Sequence, residues 1–239
     1  MSCETGVVVS CEHAVNEIPG RFRHHFNDKH TLLNSHRAYD FGARALARNL
    51  ADALRLPLHE TKVSRLICDC NRSPRHPELF SEEIRELPNS DKDAILDRYY
   101  WSYRHRLIDE ITQHMTFGRG VVHLSVHSFT PVLNGKNRKA EVGLLFDPAR
   151  QKERNLVSEL RRGLILHVPD LRLKNNYPYR GTADGMTSAL RRVFSETRYL
   201  GLEIEVNQKL WTDDRKRWRR VGDTLVRVLA EVLTMPFSY

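Results

Sequence analysis

Along nearly its whole length the chain alternates between two apolar periods, and that alternation limits its fold more than any other feature. Short runs such as "GVVVSC", "GVVHLSVHSF", "EVGLLFDP" and "YLGLEIEVNQ" read as strands. Between them lie "DFGARALARNLADALRL", "SDKDAILDRYYWSYRHRLIDEITQHM", "QKERNLVSELRRGLIL", "GMTSALRRVFSET" and "DDRKRWRRVGDTLVRVL". These carry apolar residues three and four positions apart, the spacing of amphipathic helices. "PLHETKV" and "SRLICDCN" complete the strand candidates. Repeated strand and helix predict an α/β fold: a single three-layer domain over residues 1–239 with a mostly parallel central sheet. Asp40 is positioned to cap the first long helix, and Ser90 or Asp91 the second. "NRSPRHPELFSEEIRELPNS" reads as a long proline-containing loop of the kind found over active sites.

The formal net charge of +8 suits an anionic partner: a nucleic acid, a lipid surface or an acidic small molecule. The basic residues are spread along the chain, however, and their densest run falls on the last amphipathic helix, where it reads as a solvated face. No apolar run is long enough to span a bilayer, and "MSCETGVVVS" lacks the pattern of a secretory signal, so a cytoplasmic location is expected. Cys3, Cys11, Cys68 and Cys70 are too few for a disulfide framework and lack the paired CxxC spacing of a Cys₄ zinc site. Cys68 and Cys70 read as small buried hydrophobes on one face of a strand.

In sheets of this class, ligands bind beyond the carboxyl ends of the strands. Four apolar runs end there in polar clusters: Cys11-Glu12-His13, Asp69-Cys70-Asn71-Arg72, His127-Ser128, and Glu203 with Glu205. A single strand-end histidine is more often a hydrogen-bonded structural residue than a ligand, and Asp69 alone reads as a turn cap. Four such clusters favour one site. Two imidazoles and a carboxylate leave a fourth zinc position for water, whose pKa the ion lowers to about 7. A further carboxylate would act as general base, and an Asn-Arg pair would hold a substrate carboxylate. Such a set suits hydrolysis of an amide near a carboxylate.

"VSCEHAVNEIP", "SHRAYDFGARALA", "SRLICDCNRSP", "VHSFTPV" and "LEIEVNQKLW" follow one another between Val7 and Trp211. In that order they resemble the blocks of the N-formylglutamate amidohydrolase family, itself similar to zinc carboxypeptidases and zinc-dependent peptidoglycan amidases. The resemblance implies a zinc-exopeptidase-like (phosphorylase/hydrolase-like) architecture and one Zn²⁺ per chain, held by His13, His127 and Asp40. Glu17 and Glu12 stay open as the acidic ligand, because the relatives' H-x-x-E position holds Asn16 here. Asn71 and Arg72 would clamp the substrate α-carboxylate, with Ser128 also in the substrate site. Glu205 would be the general base, with Glu203 as the alternative. Arg65 would polarise the scissile carbonyl or stabilise its oxyanion, unless it is a surface arginine at a strand end. In "NNYPYRGTADG", Arg180 with Tyr179 and Thr182 would read a second acidic group, and His36 would orient Asp40 or touch substrate.

The implied reaction is metal-dependent hydrolysis of a small anionic N-acyl amino acid, most naturally an N-formyl acidic one such as N-formylglutamate. Departures around "SCEHAVN" leave other amides open, including those cut by a zinc carboxypeptidase or a peptidoglycan-type amidase. Iron or manganese would suit the same donors. A nucleic-acid-binding protein would use Trp211 and Trp218 beside "RKRWRR" as stacking platforms, but no binding module accompanies them. A catalytically inactive relative would instead bind an acidic metabolite. No membrane partner is expected, and the oligomeric state is not legible.

Overall fold

Val7, Val8 and Val9 open the first strand because β-branched side chains pack well on a pleated surface. The computed structural model describes residues 5–234. Its strands are β1 (Gly6–Cys11), β2 (Leu58–Glu60), β3 (Val121–Phe129), β4 (Val132–Leu133), β5 (Lys136–Asn137), β6 (Val142–Leu145), β7 (Leu173–Asn175) and β8 (Tyr199–Asn207). Six of them form one sheet in the order β2-β1-β3-β8-β6-β7, while β4 and β5 make a small hairpin. Neighbours are parallel except at β6, which runs antiparallel to β8. The result is an α/β domain with a mostly parallel six-stranded sheet.

The helices are α1 (His30–Leu33), α2 (Ala43–Leu54), α3 (Glu82–Arg85), α4 (Asn89–Ile95), α5 (Ser102–Thr116), α6 (Gln151–His167), α7 (Met186–Val193), α8 (Gln208–Asp213) and α9 (Arg215–Thr234). Val9, Leu124 and Leu202 meet the apolar stripes of α2, α6 and α9 on one face of the sheet. Val8, Val121 and Tyr199 meet α5 and α7 on the other. All of β3 is buried, as expected of a strand covered on both faces.

Two local expectations are corrected. "SRLICDCN" is not a strand: the Ile67 and Arg72 amides close turns onto Ser64 and Asp69, and the Asp69 amide donates to Leu79. The run is apolar because Leu66, Ile67, Cys68 and Cys70 are core residues of the α5 side, not because a neighbouring strand pairs with it. The second long helix begins at Asn89 after Pro88, and neither Ser90 nor Asp91 caps it. It then passes through a π-helical turn, Leu96–Trp101, before α5.

One register matters for function. Ser10, Ser125 and Glu203 share a rung across β1, β3 and β8. The carboxyl ends of these strands therefore open at the same edge, which brings His13, His127 and Glu205 to one place.

Candidate metal centre and active site

His13 follows β1, His127 lies near the end of β3, and Asp40 lies in the turn before α2. Nδ1 of His13 is 3.3 Å from Asp40 Oδ2, and Nδ1 of His127 is 3.1 Å from the same oxygen. One donor atom from each of the three residues lies within 4.8 Å of the others, and all three are buried. The backbone amide of Ser128 also donates to Oδ2, at 3.1 Å. Asp40 does not cap α2 with its side chain. Gly42 holds that end in a left-handed conformation (φ 79°), and a Cβ there would stand 2.8 Å from the Trp211 ring. This turn directs Asp40 inward.

Each imidazole turns its second nitrogen to another carboxylate. His13 Nε2 is 2.8 Å from Asp69 Oδ1, and His127 Nε2 is 3.1 Å from Glu12 Oε2. Such partners fix a ring's tautomer and leave the opposite nitrogen free to bind a cation. The hydroxyls of Tyr103 and Ser125 hold Glu12, each at 2.7 Å. Arg65 holds Asp69 at 2.6 Å and approaches Asp40 Oδ1 to 3.6 Å. Two imidazoles and a carboxylate with aligned, backed donors fit a divalent ion of the zinc type. Burial would raise the Asp40 carboxyl, but the charge of His13 and the hydrogen bond from His127 outweigh it and hold the group well below its usual range. Glu12 is likewise held low against its burial, chiefly by its hydrogen bond with His127.

The three residues border a cavity of about 150 Å³ that is also lined by Arg65, Asn71, Arg72, Ser128, Tyr179, Arg180, Glu203 and Glu205. Glu205 is the register partner of His127. Burial pushes its carboxyl up to about 8, and its Oε2 is buried with no hydrogen-bond partner among the described residues. Glu203, two residues earlier, instead accepts a hydrogen bond from Thr187. Arg65 is not a surface residue at a strand end; it leaves the turn after Ser64 and points into the cavity. Asn71 accepts from the Met186 amide at 2.7 Å through its carbonyl oxygen, and its amide nitrogen lies 3.5 Å from His127. Among the described residues the Arg72 guanidinium meets carboxylates only at long range, Asp69 at 3.9 Å and Glu78 at 3.7 Å. Ser128 receives a hydrogen bond from Gln208, while Arg180 is exposed at the cavity wall. His36 and Thr182 do not line the cavity, and Glu17 is exposed beside a different one.

Sequence reasoning missed several supports. Asp69 was readable only as a turn cap, and it does accept from the Asn71 amide at 3.0 Å, but it also holds His13 and Arg65. Asn176 pins the loop that carries Arg180 by accepting from the Phe146 and Gly181 amides. A Cβ on Gly181 would stand 2.2 Å from the Phe146 backbone, so the loop lies against β6 only because that residue is glycine. His123 sits in mid-strand, 2.7 Å from both Ser10 Oγ and the Tyr199 hydroxyl. Trp211, half-buried, and Trp218, buried, pack against each other at 4.8 Å as part of the helical layer.

Residues 5–212 match the N-formylglutamate amidohydrolase family. Comparison with curated proteins gives no significant match. Among solved structures, a gene product from Agrobacterium tumefaciens aligns over 96% of this chain and 91% of its own, with 27% identity and a TM-score of 0.81. An N-formylglutamate amidohydrolase from Ralstonia eutropha aligns over 96% of this chain and 93% of its own, with 16% identity and a TM-score of 0.72.

Proposed function

This chain belongs to the N-formylglutamate amidohydrolase family, and we propose that it hydrolyses the amide of a small N-acyl amino acid with a divalent ion, zinc, held by His13, Asp40 and His127. The observation that carries this reading is the partnerless Oε2 of Glu205, buried in the same cavity as the two imidazoles and Asp40. A buried carboxylate oxygen without a donor is costly, and a general base facing a reacting water is one reason for a protein to keep it.

A divalent ion held there would supply a Lewis acid and lower the pKa of water to about 7. Beside that positive charge the Glu205 carboxyl would be ionised despite its burial; it accepts the proton lost by the attacking water and returns it to the departing nitrogen. Arg65, already fixed by Asp69, offers its guanidinium to the oxygen of the acyl carbonyl as charge develops there. The amide nitrogen of Asn71 and the loosely held Arg72 bind the α-carboxylate. Ser128 contacts substrate beside them. Arg180 binds a second carboxylate, which favours N-acyl derivatives of acidic amino acids such as N-formylglutamate. A cavity of about 150 Å³ is below the usual range for drug-sized ligands and suits a short acyl group. Cys11, Cys68 and Cys70 are free and buried, in keeping with a reducing, cytoplasmic setting.

The test is a panel of N-formyl and N-acetyl amino acids given to metal-replete protein, with release of the free amine measured. Turnover should be highest for acidic members and should fall with neutral ones. Absence of turnover across the whole panel would remove the proposed activity.

A further inference from the structure

One face of α5 borders a second small cavity, of about 160 Å³. Arg98, Ser102 and Arg106 succeed one another four residues apart along the π-helical turn and α5, so they share a face, and Lys62 closes the cavity from the loop after β2. Among the described residues no carboxylate lines it. Lys62 is partly neutralised by Glu60 at 2.9 Å. Among the described residues no carboxylate lies within ion-pair distance of Arg98 or Arg106; Arg98 lies over the Tyr99 ring, and Arg106 donates to Ser102 at 3.3 Å. Lys62, Arg98 and Arg106 are exposed, so the positive charge lining this cavity is open to an anion from solvent.

From this arrangement we infer that the cavity is a binding site for a phosphate group. Two separate guanidinium forks, an ammonium and the hydroxyl proton of Ser102 outnumber what the two oxygens of a carboxylate accept, and they match the oxygens of a phosphate. Tyr103 forms part of the wall, and its hydroxyl is committed to Glu12. The site therefore backs onto the support of His127 without opening into the catalytic cavity. It does not depend on the amidohydrolase reading.

Calorimetric titration of the metal-loaded protein with inorganic phosphate, at low ionic strength, tests the inference. Saturable binding of one phosphate per chain is expected, at least about tenfold weaker in the double variant Arg98→Ala/Arg106→Ala. The double variant Arg72→Ala/Arg180→Ala and the single variant His127→Ala should both bind as the parent does. Thermal melts would establish that each variant is folded. A parallel titration with glycerol 3-phosphate separates the sources: tighter binding than inorganic phosphate marks a phosphomonoester site, and equal binding marks a free-phosphate site. Failure of the parent protein to bind either probe saturably overturns the inference. So does loss of binding in Arg72→Ala/Arg180→Ala or His127→Ala with retention in Arg98→Ala/Arg106→Ala.

Discussion

His127 on β3 and Glu205 on β8 are partners on one rung of the parallel sheet, so their positions follow from backbone register and not from a mobile loop. Rigid elements hold reacting groups more closely than loops do. Glu205 is thereby kept where burial raises its carboxyl to about 8 and leaves Oε2 without a donor.

Glu205→Gln should keep the bound ion and lose roughly 10²- to 10⁴-fold in kcat, the usual contribution of a general base. Glu203→Gln should cost less than about tenfold, because that carboxylate is already engaged by Thr187. Steady-state kinetics with metal analysis of both variants separates the two. Equal losses would reverse or merge the assignment.

Glu12 should matter to metal affinity although it is not one of the three proposed ligands. It backs His127 and is surrounded by the hydroxyls of Tyr103 and Ser125, whereas the Asp69 that backs His13 shares its charge with Arg65. Glu12→Gln should weaken metal binding about 10- to 100-fold, measured by competition with a chelator, as is typical for the partner of a ligating histidine. An unchanged affinity would mean that His127 needs no such support.

The site was only partly legible in the sequence, for physical reasons. His13, His127 and Glu205 stood out because polar groups at the ends of apolar runs break a period that is otherwise obvious. Asp40 also read as a helix cap, and only the left-handed turn at Gly42 shows where its carboxylate goes. "SRLICDCN" misled because a buried turn and a buried strand have the same composition. The reversed direction of β6 left no trace, since four consecutive buried residues read alike both ways. His123 looked like one more residue in a strand. Its buried bonds to Ser10 and Tyr199 come from chain segments far away in sequence.

His123 also sets a pH dependence of stability. Burial depresses its pKa to about 4 in the folded protein, below an ordinary value of about 6.5. Between those values the unfolded chain takes up a proton that the folded one refuses. Its contribution is therefore complete above about pH 6.5 and is lost as the pH falls through 4. The slope is at most about 1.4 kcal/mol per pH unit. Denaturant unfolding across pH 4 to 7 should show this decline in the parent protein and a flatter curve in His123→Gln. Parallel curves would show that His123 is not the group responsible.

His13, Asp40 and His127 are together expected to hold one divalent ion. Metal content of the purified protein, measured beside His127→Ala, Asp40→Asn and Glu17→Ala, tests it most directly. About one ion per chain is expected in the parent and in Glu17→Ala, and little or none in the other two. A full equivalent that persists in His127→Ala would contradict it.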